Sequence, residues 1–192
     1  MMIIGVAGTI GAGKETLTSY FREKGFIYFE TRQIIIKELK KFGLELSRKN
    51  MQDWADKLRE EKGVEAIMKI MLEMAEKDKT KHYIFDSLRN PGEAEFLKKI
   101  SKNFTLIGVD APKGIRFERV VKRAKPSDPI TWEGFLDMDE RDLNDVKNPF
   151  GQHTAALLKM ADFLIINDKD LESSMKQIEH VYGIIVENNV KQ

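Results

Sequence analysis

No cysteine occurs in the 192 residues, which excludes disulfides, thiolate nucleophiles and cysteine-ligated zinc. Histidine is almost as scarce. His82, His153 and His180 stand apart without metal-ligand spacing, so they read as packing or surface residues, and any metal is expected to be a hard cation bound through oxygen. Net charge is nearly absent, because 32 basic residues offset 31 acidic ones, and this removes the electrostatic footprint of a general nucleic-acid binder. No stretch approaches the roughly 20 apolar residues that a bilayer span requires, and Met1 to Ala7 carries no basic leader. The expectation is a cytoplasmic protein without membrane contact, monomeric or dimeric. With 42% hydrophobic and 33% charged residues, and glycine and proline scattered, the composition is that of one globular domain spanning 1–192.

What is present is an alternation of short apolar runs and amphipathic segments. Met2 to Ala7, Phe26 to Phe29, Tyr83 to Asp86, Phe104 to Val109 and Phe163 to Ile166 read as five buried strands, near-continuously apolar as in a sheet covered on both faces. Between them, helical spacing predicts Glu15 to Glu23, Gln33 to Phe42 with Thr31 as N-cap, a helix from near Ser47, and a segment carrying Ile67, Ile70, Met71 and Met74. Pro91 opens a helix through Lys99, and Pro112 opens another on which Arg116, Arg119 and Arg123 form a stripe expected to point away from the sheet. Leu171, Met175, Ile178, Tyr182 and Ile185 give a final helix one apolar face. Residues 31–80 are expected to form a helical insertion on the substrate side. The region 124–151, with three prolines and a run of acidic residues including Asp139 and Asp142, is expected to be a small helical lid whose carboxylates face solvent.

Directly after the first strand stands Gly8-Thr9-Ile10-Gly11-Ala12-Gly13-Lys14, the G-x-x-x-x-G-K part of the Walker A pattern in its strand-to-helix setting. Glycines there let successive backbone N–H groups converge on an anion, the following helix adds its positive end, and a lysine reaches the terminal phosphates. Glu15 stands where Ser or Thr normally offers magnesium a hydroxyl, and Thr16 follows. Three readings of Glu15 are open: a magnesium ligand, a helix first-turn residue, or a charge that repels nucleotide.

The chain resembles the nucleotide-kinase branch of P-loop proteins, with adenylate kinases as precedent for lacking that hydroxyl. Gly8, Gly11, Glu30 and the segment Ala161-Asp162-Phe163-Leu164-Ile165-Ile166-Asn167 are similar to motifs of dephospho-CoA kinases, with Glu30 replacing the usual Asp and no glycine after Asn167. Asp86-Ser87-Leu88-Arg89-Asn90-Pro91-Gly92-Glu93 and Ile115 to Arg119 resemble archaeal-type P-loop kinase-like proteins and deoxynucleoside monophosphate kinases. The front domain of some deoxycytidylate deaminases is similar too, but without Cys the deaminase zinc motif is absent.

The resemblance implies a three-layer α/β sandwich with a parallel five-stranded sheet. The implied cofactors are ATP and Mg²⁺, and the implied partner is a small phosphorylated acceptor. Gly8, Ile10, Gly11, Ala12, Gly13, Lys14, Glu15 and Thr16 would bind nucleotide, with Lys14 bridging the β- and γ-phosphates and Thr16 holding the α-phosphate. Asp86, at a strand end like a Walker B carboxylate, would hold magnesium with Glu15 or orient the acceptor oxygen. Glu30, Arg32 and Arg89 follow strand ends, where open α/β sheets bind ligands, and would contact the acceptor. Arg119 and Arg123 would meet transferred phosphate on closure, with Arg116 and Arg141 as further candidates. The acceptor expected is a nucleoside or deoxynucleoside monophosphate; dephospho-CoA and an inactive NTP-binding regulatory module are the alternatives.

Overall fold

Five apolar runs pair into one parallel sheet in the order β2-β3-β1-β4-β5. The strands are β1 (Ile3–Gly8), β2 (Ile27–Glu30), β3 (Tyr83–Leu88), β4 (Phe104–Asp110) and β5 (Phe163–Ile166). The computed structural model describes residues 1–125 and 128–190, so Pro126 and Ser127, near the start of the expected lid, lie outside the described residues. Helices α1 (Lys14–Glu23), α2 (Thr31–Lys41), α3 (Arg48–Lys62), α4 (Ala66–Ala75), α5 (Pro91–Ile100), α6 (Lys113–Arg123), α7 (Trp132–Leu143), α8 (Thr154–Met160) and α9 (Leu171–Val190) complete the chain.

The period-2 alternation of strands sorts the core into two layers. Ile3 and Ala7 of β1 face α2, α3, α4, α5 and α8, joining Leu39, Ile67, Met68, Met71, Leu97 and Leu157. Ile4 and Val6 face the opposite way, joining Leu17 and Phe21 of α1 and Ile178, Val181 and Ile185 of α9. Each Ile, Leu, Val, Met or Phe side chain among these, taken fully out of water, contributes about 1.5–3 kcal/mol, so the two layers lock the central strand in place. The glycine-rich loop therefore leaves the sheet from its central strand.

Several local expectations are corrected. Thr31 is the first residue of α2 rather than its cap, and its hydroxyl donates to the Asp86 carbonyl oxygen at 3.0 Å, a tertiary bond that no local pattern encodes. Strand β3 runs two residues beyond Asp86, through a bulge at which Ala7 pairs with Leu88 and Ser87 adopts φ 67°. Leu171 is 66% exposed, because α9 turns Ile178, Val181 and Ile185 to the sheet instead. The seven-residue α8 was too short to read from its pattern.

The region after α6 is tied down at several points. Phe135 of α7 is fully buried against Ile10 and Val120, and Asp139 and Asp142 are buried rather than solvated. The expectation of a solvent-facing acidic surface fails for these two because each has a cationic neighbour: Asp139 pairs with Arg116, and Asp142 lies 3.8 Å from Arg89. Asn90 both caps α5, in a capping box with Glu93, and donates its side-chain amide to the carbonyls of Pro149 (3.0 Å) and Gly151 (3.2 Å). The buried Arg59–Glu93 pair, at 3.0 Å, joins α3 to α5 at the same corner.

Candidate active site

The loop between β1 and α1 is shaped by what a side chain would strike. A Cβ on Gly8 would collide with the Val109 carbonyl, one on Gly11 with the Arg116 carbonyl, and one on Gly13 with the Asn167 side-chain amide. Gly11 and Gly13 also sit at φ 77° and 89°, in the left-handed region that favours glycine. The result is a backbone cradle packed against β4, α6 and the end of β5. Asn167 secures it by donating to the Ala12 carbonyl at 2.9 Å.

Lys14 folds back on this loop, its ammonium donating to the carbonyls of Gly8 (3.0 Å) and Thr9 (3.3 Å). Burial, and next the nearby Arg89 charge, lower its pKa from 10.5 to about 8. An incoming polyphosphate would relieve both penalties by supplying the missing negative charge. Glu15 is exposed in the first turn of α1, on the rim of the same cavity.

That cavity, about 620 Å³, runs from the loop to the ends of β2 and β3. Ile10, Gly11, Ala12, Gly13, Lys14, Glu15, Glu30, Arg32, Asp86, Arg89, Arg119 and Arg123 all line it; Gly8 and Thr16 are off its wall. Residues more than 70 positions apart in sequence thus converge because β1 and β3 are neighbours and both end on the same edge. At its floor Asp86 is buried, with Oδ2 accepting from the Tyr28 hydroxyl at 2.7 Å and Oδ1 lacking any hydrogen bond. Burial and the Asp86 charge push the Tyr28 hydroxyl upward, so it remains a donor at all ordinary pH. The bulge at Ser87 lies immediately after this carboxylate, a placement common beside functional sites.

The arginines sort differently from expectation. Arg116 does not point to solvent: it is 3% exposed, bidentate to Asp139 at 2.5 and 2.8 Å, and donates to the carbonyls of Ala111 and Ile10. Its stripe faces the loop because α6 packs its charged side against the cradle, where carbonyls need donors. Arg119 bridges the Ala12 carbonyl (3.4 Å) and the Asn167 side chain (3.1 Å), and Arg123 forms a bidentate pair with Asp128 on the cavity wall. Arg141 is directed elsewhere, 3.6 Å from Asp53. Arg89 leaves Nη1 without a hydrogen bond, 3.8 Å from Asp142. Arg32 is exposed at the mouth, and Glu30 accepts from Gln33 at 3.3 Å.

Tyr28, Gln52, Arg59 and Gln152 also line the cavity and were not anticipated, since no motif surrounds them. Only Tyr28 had a usable signal, the strand alternation that puts it on the same side as Glu30.

The donor set fits an ATP–magnesium complex on two observations: a cradle that three Cβ atoms would fill, and a buried carboxylate oxygen left unpaired at its edge. Among the described residues there is no cluster of three or more carboxylate or histidine ligands, so a divalent ion would depend on Asp86, water and the phosphates themselves. No helix among the described residues is long and apolar enough to cross a membrane.

Comparison with known proteins agrees with this geometry. Residues 4–147 match a family model described as an AAA domain. Solved structures similar in fold include TT1252 from Thermus thermophilus (19% identity, TM-score 0.61, covering 95% of this chain and 96% of that one). Shikimate kinase from Bacteroides thetaiotaomicron is similar as well (16%, 0.56, covering 96% and 98%). So is a gluconokinase from Sinorhizobium meliloti (11%, 0.56, covering 97% of each). The resemblance therefore stands at the level of the P-loop kinase-like fold rather than of nucleoside monophosphate or dephospho-CoA kinases in particular. A UPF0200 protein of Pyrococcus abyssi is 30% identical over 93% of this chain and 94% of its own length, and one of Methanocaldococcus jannaschii 34% identical over 98% and 92%. The match over 4–147 makes this an AAA-domain chain, and its identity to these archaeal proteins over nearly their whole length shows that it belongs to the UPF0200 family.

Proposed function

We propose that this protein transfers the γ-phosphoryl group of ATP to a nucleoside or deoxynucleoside monophosphate. The single observation that carries the reading is the shared cavity: its wall holds both a glycine cradle with Lys14 and an arginine, Arg89, whose Nη1 makes no hydrogen bond. An anion-binding loop facing a second anion-binding group is what phosphoryl transfer between two phosphorylated molecules requires.

In this reading the loop amides and Lys14 hold the β- and γ-phosphates. Asp86 and Glu15 are the residues that would hold a magnesium ion, which would supply positive charge against that developing on the phosphates. Arg89 and Arg32 grip the acceptor's phosphate, one oxygen of which attacks the γ-phosphorus as the bond to the ADP oxygen breaks. Arg119 and Arg123 would exchange their present partners for transferred phosphate, and closure of 124–151 would exclude water. A monophosphate oxygen needs no general base.

Dephospho-CoA as acceptor is kept alive by one observation, the unpaired oxygen of Asp86, which is suited to taking a proton from an attacking hydroxyl. Purified protein with Mg-ATP, offered nucleoside monophosphates and dephospho-CoA with coupled detection of ADP, separates the acceptors. Calorimetric ATP binding without turnover on any acceptor would instead favour a regulatory NTP-binding module, and a gain of activity in Glu15→Ser would locate the block. No heat with ATP or ADP, with or without magnesium, would end the phosphotransferase reading.

A further inference from the structure

Among the described residues, five buried side-chain atoms lack a hydrogen-bond partner: Asp86 Oδ1, Arg89 Nη1, Gln152 Oε1, Thr154 Oγ1 and Asn189 Oδ1. Leaving such a group unpaired costs about 1–3 kcal/mol, so each calls for a reason. Three of the five belong to residues that line the single cavity described above, and the first two already have roles there. Thr154 and Asn189 lie off its wall, and nothing in the structure explains them. Gln152 is the remaining cavity residue.

Its backbone is among the most firmly held in the region after α7. The Gln152 carbonyl accepts from the Asp145 amide at 2.9 Å; on one side the Gly151 carbonyl accepts from Asn90, and on the other the His153 amide donates to the Arg89 carbonyl at 2.7 Å. The last of these bonds sets Gln152 directly beside the turn that carries Arg89. A firmly held backbone that carries a side-chain oxygen without a hydrogen bond, on the same cavity wall as an Arg89 Nη1 that is ion-paired with Asp142 at 3.8 Å but makes no hydrogen bond, is the arrangement of a preorganised ligand site. Ile35, Met51 and Ala55, from α2 and α3, line the same cavity and supply apolar surface.

We propose that Gln152 is an acceptor-binding residue. Its amide and the Arg89 guanidinium together select a molecule that carries an anionic oxygen and, near it, a hydrogen-bonding hydroxyl or amine. This deepens the function proposed above and rests on it: a nucleoside monophosphate offers that pair as its phosphate with a sugar hydroxyl or base amine, and its flat ring suits the apolar wall. Gln152 is thus assigned the discrimination between acceptors that differ by one polar group, while the glycine cradle is indifferent to it.

The test compares wild type with Gln152→Met in steady-state transfer from ATP, using matched monophosphate pairs that differ only in the 2′-hydroxyl or in an exocyclic amine. The expected result is an acceptor KM raised about tenfold and a loss of discrimination within one of the pairs. The Kd for ATP should stay unchanged, and Tm should be equal or higher, since a buried unpaired polar atom gives way to a thioether chain. Gln152→Glu, of nearly the same size, should raise the acceptor KM further by setting a carboxylate beside the bound anion, again at constant ATP affinity. Turnover with unchanged acceptor KM and unchanged discrimination in both variants overturns the assignment of Gln152 alone. ATP binding without wild-type turnover of any monophosphate overturns the acceptor reading, and this inference with it.

Discussion

On the loop side of the cavity, Lys14, Arg119 and Arg123 each already donate hydrogen bonds within the protein; elsewhere on its wall, Asp86, Arg89 and Gln152 each keep a polar atom that makes no hydrogen bond, although Arg89 is ion-paired with Asp142 at 3.8 Å. The first side is finished as a structure and must exchange bonds to accept a ligand. The second is unfinished and would be completed by one. Satisfied polar groups rigidify a cradle, whereas unsatisfied ones store free energy that binding can recover. Under the proposed function, the contrast would let one cavity combine a fixed grip on polyphosphate with selectivity toward an acceptor.

The contrast can be broken most severely at Lys14. Lys14→Ala should lower kcat for phosphoryl transfer about 10³-fold, because it removes the ammonium group that donates to the cradle; a loss under tenfold, read by coupled ADP release, would deny that group its role. Next comes the loop itself. Gly11→Ala should destabilise the protein by about 3 kcal/mol, combining the strain of φ 77° with a clash against the Arg116 carbonyl, and the denaturant midpoint would show it.

On the unfinished side, Arg89→Ala should raise the acceptor KM about thirtyfold while leaving the ATP Kd unaltered, as expected for one charge-assisted contact. If ATP affinity fell equally, the two sides would not be separable as described.

The smallest effect concerns protons. Because Lys14 is lowered to about 8 in the folded protein, filling the cradle with phosphate should restore its proton, with uptake of about half a proton per ATP near pH 8. Calorimetry in buffers of different ionisation enthalpy measures this, and buffer-independent heats would contradict it. Without nucleotide the sign is also defined. Between about 8 and the ordinary 10.5 the unfolded chain holds the lysine proton more tightly, so stability should rise with pH across that window, and Lys14→Met should lack the rise.

Legibility in the sequence divides along the same line. The cradle is contiguous, so Gly8 to Lys14 announced itself through spacing and through the strand before it, and the five-stranded parallel sheet followed from five apolar runs. Asp86, Arg89, Glu30 and Arg32 were readable as strand-end residues, and all four line the cavity. Arg116, Asp139 and Asp142 were misread because helical periodicity ranks faces by hydrophobicity. It cannot see that a charged face will be buried against carbonyls and an opposite charge. Gln152 was invisible for a different reason. Its neighbours in space, Arg89 and Asn90, are some 60 positions away, and nothing local distinguishes it from a surface glutamine.

By itself the sequence determined the glycine cradle, the strand count and the fold class, because each depends on residues adjacent in the chain or on periodicities that backbone geometry imposes. Tertiary structure alone decided which arginines serve the protein and which remain available to a ligand, where Asp86 directs its unpaired oxygen, and that Gln152 stands beside Arg89. Those outcomes depend on pairings between distant segments, and the order of strands in the sheet, which no local pattern encodes, is what brings the segments together.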